Sequence, residues 1–216
     1  MKNSILALLV ALSVILLSCK KDSVTPEPQP SEPLFTPFTQ AETDLIMSGD
    51  TNVPMAILLT TNLQDSIFLR GKSIEIEPNP NDPTLKHLIK RMYYTMIAAG
   101  GVGIAAPQVG IHRKIFWFKR FDILPAKPFQ VAINPKVDFY SQRKVNFLGD
   151  GCLSVPSITG KTERYSSILV EYYLENGLFE KNILEGTSAT SFTSVCFQHE
   201  FDHLGGILFV DRIVAK

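Results

Sequence analysis

Hydrophobic residues change their spacing along this chain, and the changes mark out its elements. Asp82 stands before Pro83, and Leu85, Leu88, Ile89, Met92, Met96 and Ile97 then recur at intervals of three and four. That is the stripe of an amphipathic helix with an aspartate cap and a proline in its first turn, and Gly100-Gly101 would end it. Beyond it the period falls to two. "KIFWFKR" and "FQVAINP" are rich in aromatic and β-branched residues and read as strands bounded by proline. "SSILVEYYLENGLFEKNILEG" reads as a hairpin, because Asn176-Gly177 supplies the positive φ angles of a tight turn between alternating runs. "SIEIEP" reads as a brief strand, and helical spacing returns from about Ser188 to Leu204, stopping at Gly205-Gly206. Residues 36–70 carry no clean period, and "MAILLTT" within them reads equally as a short helix or a short strand. A helix, then strands, then a helix predict an α+β domain with mixed or antiparallel sheets wrapped around the final helix.

The first residues follow a different rule. Lys2 precedes an apolar run from Ile5 to Leu17 broken only by Ser13, too short for a bilayer span and patterned like the hydrophobic region of a signal peptide. Leu16-Leu17-Ser18-Cys19 resembles the lipobox of bacterial lipoproteins, in which the cysteine is lipidated. "KKDSVTPEPQPSEP" follows, polar and proline-rich, and reads as an extended tether. The expected organisation is a signal peptide over 1–18, a lipidated Cys19 at the head of a tether over 19–34, and a folded domain over 35–216. The protein is then exported and lipid-anchored to a bacterial membrane; a signal peptide cleaved elsewhere, or left uncleaved, is the alternative.

Composition narrows the partners. With 45% hydrophobic residues the chain can enclose a core, and 21 basic against 21 acidic residues leave no net charge. Nothing points to the basic surface that nucleic acid requires. The domain is expected to act as a monomer.

Candidate chemistry begins in "SVCFQHEFDHLGG". His199 and His203 lie four apart, one helical turn, so both imidazoles can reach a single ion, and Glu200 projects nearby without needing to bind it. This is the HExxH arrangement of metal-assisted hydrolases, with the carboxylate taking a proton from activated water. The plain alternative is a buried helix with surface histidines. Against it, Phe192, Val195, Cys196 and His199 continue one stripe toward His203, and an unpartnered imidazole pair on an inward face is costly.

A third ligand is expected. The one carboxylate after His203 is Asp211; upstream, "GDGCLSVP" offers Cys152, whose thiolate would complete a Cys-His-His set with one open position. Because the protein is read as exported, a disulfide between Cys152 and Cys196 competes with this assignment. "GGVGIAAPQVG" matches the dinucleotide pattern GxGxxA but follows a helix instead of a strand and contains Pro107, so that reading fails. Its small residues point to close backbone approach, with Gln108 as the polar side chain.

Three colinear stretches, GVGIAAPQ at 101–108, DGCLS at 150–154 and QHEFDH at 198–203, together resemble the motifs of the peptide deformylase family. The similarity runs from about Leu69 to Ile213. It implies a metallohydrolase that removes the formyl group from formylmethionyl peptides and releases formate. It further implies Cys152, His199 and His203 as ligands of one divalent ion, usually ferrous iron, with zinc and nickel also fitting. Glu200 becomes the general base and then acid, and Gln108 with the backbone N–H of Leu153 the oxyanion donors. Gly103 would let substrate backbone approach, and Val102, Leu148, Phe192, Val195 and Cys196 would line the methionine pocket. Asp202 is either a partner of a ligating histidine or a helix-surface carboxylate.

The chain departs from the family at Asp150, where glutamate is usual, opposite Arg164 as its expected ion-pair partner. Two other functions stay in view: a zinc peptidase using the same HExxH site on unblocked peptides, and a non-catalytic lipoprotein that binds formyl peptides or metal.

Overall fold

The computed structural model describes residues 35–188 and 191–214, so the expected signal sequence, Cys19 and the tether lie outside the described residues. Four helices are described: α1 (Gln40–Ile46), α2 (Leu63–Leu69), α3 (Pro83–Ala98) and α4 (Thr193–Leu204). The strands are β1 (Gly103–Ala105), β2 (Ile115–Lys119), β3 (Phe129–Tyr140), β4 (Lys144–Cys152), β5 (Val155–Tyr165), β6 (Ser167–Tyr173), β7 (Phe179–Ser188) and β8 (Ser191–Phe192). Six of them form one antiparallel sheet in the order β1-β2-β3-β6-β7-β8, and β4 pairs with β5 separately. Among the described residues no helix is long and apolar enough to cross a membrane.

Strand β2 packs on both faces of the large sheet. Ile115 packs with Leu88, Ile89 and Met92 of α3, while Phe116 and Phe118, one residue out of phase, meet Cys196, Phe197 and Leu204 of α4. The two faces alternate along one strand, so "IFWF" reads as a continuous apolar run. Phe197 anchors α4 edge-on against Phe116 and Phe118, with ring centroids 4.9 and 5.1 Å away. The histidine helix is thereby fixed in position by apolar packing on the side away from its chemistry.

Helix α3 begins as its sequence predicts, with the Asp82 side chain accepting from the amides of Thr84 and Leu85. Ile97 departs from its stripe and is exposed. The two helices of 36–70 have no periodic signal because each is only seven residues long; caps set them instead. Thr39 and Glu42 form a reciprocal capping box, and Asn62 accepts from the amides of Gln64 and Asp65. "MAILLTT" is neither helix nor strand.

Four further expectations are corrected. "SIEIEP" makes a single bridge, Ile74 to Arg113, because the side chain of Asn134 takes both backbone groups of Ile76, accepting from its amide at 3.0 Å and donating to its carbonyl at 2.7 Å. A side chain there replaces a partner strand. Pro128 stands immediately before β3, but Pro135 does not end it; the strand runs on with a register shift between Ile133 and Lys136, and Asn134 has φ 50°. The β6–β7 turn spans Leu174 to Leu178, and Gly177 alone adopts a positive φ of 79° while the Asn176 side chain accepts from the Leu178 amide. The last helix starts at Thr193, not Ser188, since Ser188 ends β7 and Phe192 still pairs with Gly186.

Candidate metal centre and active site

Cys152 closes β4, and His199 and His203 occupy successive turns of α4, so the site depends on a sheet edge meeting a helix. Their sulfur and nitrogen donor atoms lie within 4.8 Å of one another, and both histidines are buried. Cys152 Sγ is 3.3 Å from His203 Nε2. Both cysteines are free thiols, so the disulfide alternative fails. A soft thiolate and two imidazoles converging in a buried pocket fit a divalent transition metal with an open position.

The groups behind the ligands are tightly held. Asp150 Oδ1 is 3.0 Å from His199 Nδ1, which leaves the other ring nitrogen for the ion. Asp150 Oδ2 accepts from the buried hydroxyl of Thr162 at 2.8 Å and from Arg164 only at 3.5 Å. Arg164 is drawn instead to Asp202, which also binds Arg212 at 2.8 Å. Asp202 therefore pairs with two arginines, and the carboxylate that contacts a candidate ligand histidine is Asp150. Burial pushes the Asp150 carboxyl up, but His199, Arg164 and Thr162 outweigh it and hold it below the usual carboxylate range. Burial in turn keeps His203 well below an ordinary histidine.

Glu200 is 4% exposed, and its Oε2 has no partner among the described residues. Burial, opposed by His199 and reinforced by Asp150, pushes its carboxyl up to about 7. A carboxyl near neutrality can both take and return a proton. Gly103 makes room for it: a Cβ there would fall 2.8 Å from Glu200 Cδ. The glycine is thus required by the protein's own carboxylate, a reason the sequence did not reveal.

Gln108 is buried in a short 3-10 turn (Ala106–Val109) and fixed at both ends of its amide. Its oxygen accepts from the Ala105 amide at 2.8 Å, and its nitrogen donates to Ser154 Oγ at 3.2 Å with Cys152 Sγ at 3.5 Å. Ser154 was not singled out in the sequence, yet it aims Gln108; only its place in DGCLS hinted at a role. Leu153 sits in the turn between β4 and β5, its side chain packed against the α3 cluster.

Cys152, His199, Glu200, Asp150 and Gln108 face one cavity of about 570 Å³, and His203 lies behind it, fully buried. Val102, Gly103, Phe192, Val195 and Cys196 line it with Gln108, Leu153, Cys152, His199 and Glu200. Leu148 does not. It is 76% exposed and borders a separate cavity of about 150 Å³, while Phe147 takes its place in the large one, its ring 4.9 Å from that of Phe192. The cause is a bulge: β4 and β5 shift register between Phe147 and Asp150, with Gly149 at φ 77°. Counting back from Cys152 in twos brings Leu148 inward, and one extra residue reverses the choice.

The chain matches the polypeptide deformylase family model over residues 59–216. It is 35% identical to a peptide deformylase of Karelsulcia muelleri over 158 residues, covering 73% of this chain and 79% of that one. With peptide deformylase 2 of a Nostoc strain it shares 39% identity over 153 residues, 68% of this chain and 82% of the relative. Its fold is similar to the crystal structure of the Thermotoga maritima peptide deformylase, with a TM-score of 0.64 and 32% identity over 75% of this chain and 99% of that one. A Met-Ala-Ser-bound class I type b peptide deformylase from Acinetobacter baumannii is equally similar in fold, with a TM-score of 0.64 and 30% identity over 75% of this chain and 99% of that one. With the family model spanning most of the sequence and a thiolate, two imidazoles and a buried glutamate gathered at one cavity, the chain belongs to the polypeptide deformylase family, metal-dependent hydrolases that remove N-formyl groups from peptides.

Proposed function

We propose that this chain deformylates N-formylmethionyl peptides, releasing formate, with Cys152, His199 and His203 as its metal ligands and Glu200 as its acid–base group. The observation that carries the assignment is the buried Glu200 carboxyl, one oxygen without a partner among the described residues, on the cavity that Cys152 and His199 also line, with the His203 donor atom within 4.8 Å of theirs. A divalent ion held by these donors supplies Lewis acidity to the formyl oxygen and to water. Glu200 takes the proton of the water that adds to the formyl carbon and returns it to the amine nitrogen as the C–N bond breaks. Formate and a free amino terminus result. Gln108 Nε2 and the Leu153 backbone N–H donate to the oxyanion of the tetrahedral state, and Gln108 is already immobilised by Ala105 and Ser154. Phe192, Val195, Cys196 and Val102, joined by Phe147, receive the methionine side chain.

Ferrous iron is the family's usual ion, and zinc suits the same donors in an oxidising compartment. The protein acts as a monomer, exported and lipid-anchored through Cys19. Metal analysis beside a formate-release assay on formyl-Met-Ala tests the catalytic assignment. A metal-loaded protein that releases no formate would overturn it. Cys19→Ser, expected to move the protein from the membrane to the soluble fraction, tests the anchor.

A further inference from the structure

Between Gly151 and Cys152 on β4 the register with β5 slips: Gly151 faces Thr159 but Cys152 faces Val155, so Pro156, Ser157 and Ile158 bulge from the hairpin. Ser157 holds a left-handed φ of 62°, a conformation that costs a non-glycine residue and persists only where the surroundings enforce it. All three bulged residues line the large cavity, and Ile158 remains 48% exposed at its edge. Val102, 39% exposed, borders the same cavity from the segment before β1. The outer part of the cavity thus has an apolar rim, and part of it stands on strained backbone.

No charge accompanies that rim. Among the described residues, the only carboxylates lining the cavity are Asp150 and Glu200, both buried, and no lysine or arginine lines it. A charged substrate side chain arriving there would lose water and gain no partner, whereas an apolar one would bury surface against Ile158 and Val102.

We propose that Ile158, displayed by the bulge at Ser157, is a specificity-determining residue that selects formyl peptides whose residue after the formylmethionine is apolar. The proposal rests on the deformylase assignment above and adds the class of peptide. Formate release by the metal-loaded full chain is measured on formyl-Met-Leu-Ala, formyl-Met-Lys-Ala and formyl-Met-Glu-Ala amides. The expected kcat/KM for the leucine peptide exceeds both charged ones by about tenfold, the scale on which an apolar subsite discriminates. Ile158→Glu is expected to raise the lysine-to-leucine ratio several-fold and to lower the glutamate-to-leucine ratio; a purely structural lesion would depress all three alike. Wild-type values within twofold of one another, or unchanged ratios in the variant, overturn the proposal. If none of the peptides is deformylated, the enzymatic assignment itself fails and the proposal falls with it.

Discussion

Asp150 Oδ1 and His199 Nδ1 are 3.0 Å apart, so the short aspartate side chain reaches the imidazole directly. Thr162 donates to the other carboxylate oxygen at 2.8 Å, while Arg164 keeps a longer 3.5 Å ion pair with that oxygen and also binds Asp202. Thr162→Val removes that donor and keeps the shape. It is expected to cost about 1–3 kcal/mol of stability and to weaken metal binding by about tenfold, near the lower end for groups that orient ligands. Urea unfolding and chelator competition measure the two effects. Unchanged metal affinity would show that Arg164 alone suffices.

Glu200→Gln keeps the volume and removes the titrating group. Formate release should fall by about a hundredfold to ten-thousandfold, the usual contribution of general acid–base catalysis. Metal content should stay at one ion per chain, because Glu200 is not among the three converging donors. Loss of the metal together with the activity would make Glu200 a ligand instead.

Gly103→Ala tests the room made for Glu200. The new Cβ would crowd the carboxyl carbon at 2.8 Å, so the carboxylate must move. A fall in kcat with little change in metal content is expected, with about 1–3 kcal/mol lost to overpacking. Thermal melts and steady-state kinetics separate these effects.

Acid should loosen the amino-terminal end of the domain. Arg113, 1% exposed, binds Glu42 through two hydrogen bonds at 2.8 and 2.6 Å and also the carbonyls of Thr36 and Pro37. Burial pushes the Glu42 carboxyl up, but Arg113 and Thr39 outweigh it and hold it below the usual carboxylate range. The unfolded chain therefore takes up the proton first as pH falls. The contribution is full above the ordinary glutamate value and vanishes as pH drops through the lower folded one. Glu42→Gln should melt earlier than wild type at neutral pH, and the gap should close on acidification.

Removing the metal should expose one thiol. Burial pushes the Cys196 thiol far above its ordinary value, whereas Cys152 is only half-buried. On protein starting after Cys19, chelation is expected to make one cysteine reactive to a thiol reagent, and denaturation a second. Two reactive thiols in the folded, metal-loaded protein would contradict both the ligand role of Cys152 and the burial of Cys196.

The sequence alone determined the elements whose signals are local. Helix α3 was legible because a cap, a proline and a sustained stripe agree within one segment, and the His199–Glu200–His203 constellation because helical spacing fixes side chains four apart on one face. Cys152 was legible as a candidate because two imidazoles call for a third donor, but nothing local says which distant thiol meets α4, and the resemblance to a known motif made the choice. Tertiary structure decided the rest. The bulge at Gly149 chose Phe147 over Leu148, Asn134 took the backbone groups that would have made "SIEIEP" a strand, and Asp202 drew Arg164 into a closer ion pair than the 3.5 Å one it keeps with Asp150. Each of these outcomes turns on partners remote in sequence, where a one-residue slip or a competing hydrogen bond shifts the balance and no local pattern records which side prevails.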